Sequence, residues 1–157
     1  MLLVSRRPER FRFAVFLSAW VNPKPKTVAA YCRFAGMAAG ILHWRWLVRL
    51  QGRYWGYTPE QAARMADYAV HITPQGFRSF FANTLNLRDL PGYAGAALPM
   101  LAVCGSGEVG DMKRSLALLG ENPHCRTRIL PHAGHDFPMR RPAELNALLD
   151  AFLAELP

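Results

Sequence analysis

In residues 98 to 119, LPMLAVCGSGEVGDMKRSLALL, an uncharged run ends at Cys104. Gly105, Gly107 and Gly110 follow at G-x-G-x-x-G spacing, ahead of a segment with helical periodicity. A short apolar run bounded by glycine reads as a buried strand, and a strand leading through glycines into a helix belongs to a parallel sheet covered by helices. Such a turn can cradle a dinucleotide phosphate, or it can end a strand and present another group. The dinucleotide reading requires an acidic residue near the end of the next strand and further strands to build the crevice. The next strand-like run here, CRTRILP, leads into HAGHD, with proline and histidine where that acid should stand, and no further strand follows. The residues therefore favour the second reading.

The loops beyond the two strands hold the groups that matter. Functional side chains in an open parallel sheet gather outside the carboxyl ends of the strands. After residues 99 to 104 stands Glu108, in a G-x-x-E pattern counted from Gly105. After residues 126 to 131 stand His132 and His135, in HAGHDFP. A carboxylate on one strand end and a histidine on its neighbour are what a hydrolytic triad needs, because the carboxylate orients the imidazole and stabilises its protonated form. Asp111 is a second candidate for the acid, but its place suits a cap for a helix beginning at Met112. His132 reads as a structural or rim residue, and Asp136 as pointing away or capping locally.

The rest of the chain falls into three parts: residues 1–22 with a core strand, 23–90 helical, and 91–157 with a strand–helix–strand–helix pattern. FRFAVFLSA, residues 11 to 19, is a β-type run after the turn at Pro8, Glu9 and Arg10. From Thr27 to about Gly52, apolar residues recur at helical spacing, with Gly36 and Gly40 as points where the helix could divide. Thr58-Pro59 and Thr73-Pro74 each open a further helix, the first with Gln61 placed for a capping box. The expected fold class is α/β, a parallel sheet fragment with helices and an inserted all-helical cap.

On these residues the chain resembles the C-terminal portion of an α/β hydrolase. RRPERFRFAVFLSA resembles the strand after the nucleophile helix, the helical block resembles the cap, LPMLAVCGSGE the acid strand, and RILPHAGHDFPMRRPAELNALLDAFL the histidine loop and final helix. The resemblance implies hydrolysis of an ester or another acyl or carbon–heteroatom bond, with His135 as general base, Glu108 as triad acid and no cofactor or metal. It also implies a serine nucleophile in G-x-S-x-G upstream of RPERF. The sequence contains no G-x-S-x-G; its serines are Ser5, Ser18, Ser79, Ser106 and Ser115. The expectation is an incomplete triad: a shortened frame, a non-catalytic remnant or interaction module, or a chain completed by a separate N-terminal half. A first strand at an open sheet edge would favour self-association.

Trp44, Trp46, Trp55, Phe80 and Phe81 in the cap are candidates to line a pocket for a small hydrophobic ester-like substrate. Residues 1 to 57 carry ten Lys/Arg and one acid, and the remaining residues nine and ten. A basic third of this kind raises an anionic or nucleic-acid partner as an alternative, although its arginines are dispersed among aromatics and form no run. Three cysteines without C-x-x-C spacing point to a reducing, cytoplasmic setting. The opening MLLVSRRPERF lacks the order of a secretory signal, and no uncharged apolar run reaches the length of a membrane span.

Overall fold

The computed structural model describes residues 1–156, and the chain divides into two compact units, Met1–Asn22 with Leu85–Pro157, and Pro23–Thr84. The first unit holds helix α1 (Leu2–Arg6) and strand β1 (Ala14–Leu17). The second holds α2 (Pro25–Leu42), α3 (Arg45–Tyr54), α4 (Pro59–Ala69) and α5 (Pro74–Ala82). The chain then returns to the first unit with β2 (Met100–Gly105), α6 (Gly110–Leu119), β3 (Cys125–Leu130), α7 (Phe137–Arg140) and α8 (Pro142–Ala154).

The strands form one parallel sheet in the order β1-β2-β3. Every residue of β2 is buried, as an unbroken apolar central strand covered on both faces must be. Alternation of side chains splits the strand between two cores. Met100, Ala102 and Cys104 meet Val4, Phe16, Tyr93, Leu116 and Leu119 on one face. Leu101 and Val103 meet Phe137, Leu145 and Phe152 on the other. Helix α6 thus covers one side of the sheet and α7 and α8 the other. Burial of each large side chain contributes about 1.5–3 kcal/mol. Tyr93 completes the first core, its ring edge-on to Phe16 at 6.2 Å and its hydroxyl donating to Leu119 O at 2.8 Å.

In the helical unit α2 packs on α5, and α3 packs on α4 around Val48, Ala66 and Ala69. Both threonine caps form. Gln61 N donates to Thr58 Oγ1 at 3.2 Å while Thr58 N donates to Gln61 Oε1 at 2.9 Å, and Gly76 N donates to Thr73 Oγ1 at 3.0 Å. The expected division of the long helix at Gly36 or Gly40 is not observed. Both lie inside α2, and the break comes at His43 and Trp44, where Trp44 takes ψ 83° and becomes the residue before α3.

Two further expectations are corrected. The segment expected to remain with the helical block up to residue 90 leaves it at Thr84, because Leu90 is buried in the core beside β2 and Leu87 N donates to Val21 O at 2.8 Å. Asp111 does not precede its helix. Helix α6 starts two residues before the expected Met112, at Gly110 after Val109, and the Asp111 carboxylate pairs with Arg114 one turn on. No helix among the described residues is long and apolar enough to cross a membrane.

Candidate active site

The three strands end side by side, and the turns that follow β2 and β3 lock onto each other. After Gly105 the chain reverses, with Glu108 N donating to Gly105 O at 3.2 Å. The loop after β3 lies on this turn. Gly107 N donates to Ala133 O at 2.9 Å, Ser106 N to Leu130 O at 2.9 Å, and His132 N to Ser106 Oγ at 2.8 Å. His132 takes φ 53°, a left-handed conformation that bends the loop here and leaves its own side chain outside. Its backbone shapes the loop, and Ser106 Oγ is engaged in accepting from its N–H.

The glycines act through space. Neither Gly105 nor Gly107 adopts a positive φ. A Cβ on Gly105 would lie 2.2 Å from Ala133 O, so the residue must be glycine for the histidine loop to approach the strand end. What requires glycine at 105 is thus close contact between backbones, not a left-handed turn.

Glu108 folds back over its own turn. Its Oε1 accepts from Gly105 N at 3.0 Å and from the Ser18 hydroxyl in a short contact. Its Oε2 faces His135 Nδ1 at 2.9 Å. An ionised carboxylate only accepts hydrogen bonds, so the imidazole carries its proton on Nδ1 and donates it, which leaves Nε2 as the basic nitrogen. The Glu108 side chain is 1% exposed and that of His135 69% exposed. The carboxylate is shielded while the imidazole stays open to solvent.

Burial by itself would push the Glu108 carboxyl upward. The hydrogen bonds from Gly105, Ser18 and His135, together with the histidine's charge, outweigh it and hold the group below its ordinary value of 4.5. A carboxyl lowered on folding stabilises the fold at pH above its unfolded value, and the contribution is lost as pH falls through the folded value. We therefore expect thermal melts to show the wild-type chain losing its margin over Glu108→Gln as the buffer is taken from neutral to about pH 3. A margin constant over that range would contradict the assignment.

Ser18 was not singled out by sequence reasoning. It follows β1 directly, continues the ladder by donating its N–H to Val103 O at 2.8 Å, and is buried. The available signal was position: a hydroxyl at the carboxyl end of a strand, the same end of the sheet that holds Glu108 and His135. Cys104 is buried in β2, and burial, then the nearby Glu108 charge, push its thiol up, away from the thiolate form a nucleophile needs. Ser115 is fully buried; it accepts from Val21 N and donates toward Asn22 Oδ1 and Asp111 O.

The aromatic candidates do not gather in one cavity. Trp44 and Trp46 line an open surface depression with His43, Arg45 and Arg49. Trp55 lies edge-on to Tyr57 at 6.1 Å. Phe81 stacks on Tyr31 at 5.2 Å and takes the edge of Phe80 at 5.2 Å.

Neither a protein-family model nor a curated protein matches the sequence. Solved structures do match the fold. An enol-lactonase from Burkholderia xenovorans LB400 is 20% identical with a TM-score of 0.68, over 98% of this chain and 60% of that one. A carboxylesterase structure from Nitrososphaera gargenis is 14% identical with a TM-score of 0.71, over 98% and 59%. MGS-M2, an α/β hydrolase from a Medee basin deep-sea metagenome library, is 9% identical with a TM-score of 0.72, over 98% and 60%. A parallel sheet covered by helices on both faces, with Glu108 and His135 on adjacent strand ends, defines an α/β architecture. In particular, the chain has a partial α/β-hydrolase fold, spanning about 60% of the length of the solved structures it matches.

Proposed function

We propose that this chain supplies the acid–base pair of an α/β hydrolase that cleaves an ester or another acyl or carbon–heteroatom bond. The observation that carries the reading is the contact of His135 Nδ1 with the buried Glu108 carboxylate, with the imidazole otherwise exposed. In this arrangement Nε2 withdraws a proton from the attacking hydroxyl or water as its oxygen bonds to the acyl carbon. The imidazolium, stabilised by Glu108, then returns the proton to the leaving group. The sequence holds no G-x-S-x-G, and Ser18 bonds the far side of the carboxylate, not Nε2. The serine that completes a triad belongs, in this reading, to a further segment or a partner chain.

With an activated ester such as p-nitrophenyl acetate, the pair alone can act as general base toward water. The expected result is a hydrolysis rate above buffer that falls to background in His135→Ala while the far-ultraviolet dichroism is retained. Equal rates from the two folded proteins would remove the reading. They would favour an interaction module without chemistry, for which the exposed Phe34, Met37 and Ile41 on α2 speak.

A further inference from the structure

The site contains a residue that bonds not the imidazole but the opposite oxygen of the carboxylate. We propose that Ser18 is a positioning residue: its hydroxyl pins Oε1 of Glu108 so that Oε2 stays aimed at Nδ1 of His135. The proposal rests on the reading of Glu108 and His135 as the acid–base pair.

Three observations support it. First, Oε1 has two donors and they differ in kind. The Gly105 amide belongs to the same turn as Glu108, whereas Ser18 lies 90 positions away, just past the end of β1. A glutamate carboxylate rotates broadly about its last torsion. Of the two donors on Oε1, only Ser18 reaches the carboxylate from outside its own turn.

Second, Ser18 takes φ 47°. Left-handed backbone costs a non-glycine residue about 1–2 kcal/mol, which glycine does not incur. What serine adds over glycine at this position is its hydroxyl, and that hydroxyl is spent on Glu108.

Third, Ser18 is buried at 9% exposure, so its bond to a charged acceptor is sheltered from competing water. The charged or titratable groups around the carboxylate are few. His135 reaches it from the loop after β3, and Cys104 from β2. Lys113 of α6 acts on that thiol.

The test compares Ser18→Gly, which relieves the backbone, with Ser18→Ala, which keeps the Cβ, and with Ser18→Asn, which tolerates left-handed backbone and restores a donor. The readout is the midpoint of the Glu108 side-chain carboxyl, followed by carbon-13 NMR across the acid range. A hydrogen bond to a charged group corresponds to about one to two units of midpoint. Gly and Ala should both raise the midpoint by that amount, with Asn returning part of the shift. The His135-dependent ester rate should drop about tenfold in Gly and Ala. Midpoints unchanged in both variants, with thermal stability lowered or not, would reduce Ser18 to a packing residue and overturn the proposal. The carboxyl readout does not use the ester assay. A shifted midpoint in a chain with no His135-dependent rate would uphold the pinning and sink the hydrolase reading alone.

Discussion

Gly105→Ala should unfold at a temperature about 10 °C below the wild-type chain and lose the Glu108–His135 contact in whatever fraction stays folded. The added methyl would sit 2.2 Å from Ala133 O, 2.7 Å from Ala133 C and 2.9 Å from Gly134 O. All three are backbone atoms, so no rotamer change relieves the clash. The histidine loop must lift, and with it go the Gly107 N to Ala133 O bond and the placement of His135 two residues on. Overpacking a tight contact costs about 1–3 kcal/mol, and an amide left unpaired adds about 1–3 kcal/mol. In a chain of this size each kcal/mol moves the midpoint by about 2–4 °C. Calorimetry of the purified variant decides the matter. A midpoint within 2 °C of wild type (about 1 kcal/mol or less) would show that the loop has room to yield, and that Gly105 is not what holds it.

Glu108→Gln should stay folded near neutral pH and yet lose the His135-dependent rate by about 100-fold or more, as removal of a positioned base does. The reason lies in how the amide must settle. Its oxygen is needed on the side of Gly105 N–H and the Ser18 hydroxyl, where a nitrogen would set donor against donor in a buried place. The amide nitrogen is then left facing His135 Nδ1. That nitrogen of the ring must now accept, the proton moves to Nε2, and the imidazole presents a donor where a base is required. The tautomer is directly visible in the nitrogen-15 shifts of the His135 ring. Finding the proton still on Nδ1 in the variant would break this chain of reasoning, whatever the rate did.

Most of the fold could be read from the sequence because its signals are local. The unbroken apolar run of β2, the Thr-Pro starts of α4 and α5 and the strand–helix–strand–helix order each depend on neighbouring residues. The pairing of Glu108 with His135 could also be anticipated, since both follow strands of one parallel sheet. Ser18 could not be placed in the same way. Its meeting with Glu108 depends on the register that sets Leu17 beside Val103, which no local pattern encodes. The reason for glycine at 105 was likewise invisible, because it lies in a carbonyl 28 residues further along. The break at His43 and Trp44 was misplaced for a related reason. The intrinsic weakness of Gly36 and Gly40 is outweighed once α2 packs on α5, with Gly36 close against the Arg78 side chain.

The hydrogen bond from Leu87 N to Val21 O has a consequence for how such a chain can change. It brings together the points where the polypeptide departs from the α/β unit and rejoins it, so the segment between them starts and ends at one closed neck. To the sheet, that segment is a loop whose ends already touch, and each doubling of such a loop's length costs only about 0.6 kcal/mol. Residues could be added there or trimmed while Ser18, Glu108 and His135 keep their places at the strand ends. The neck separates what the chain must preserve from what it is free to revise.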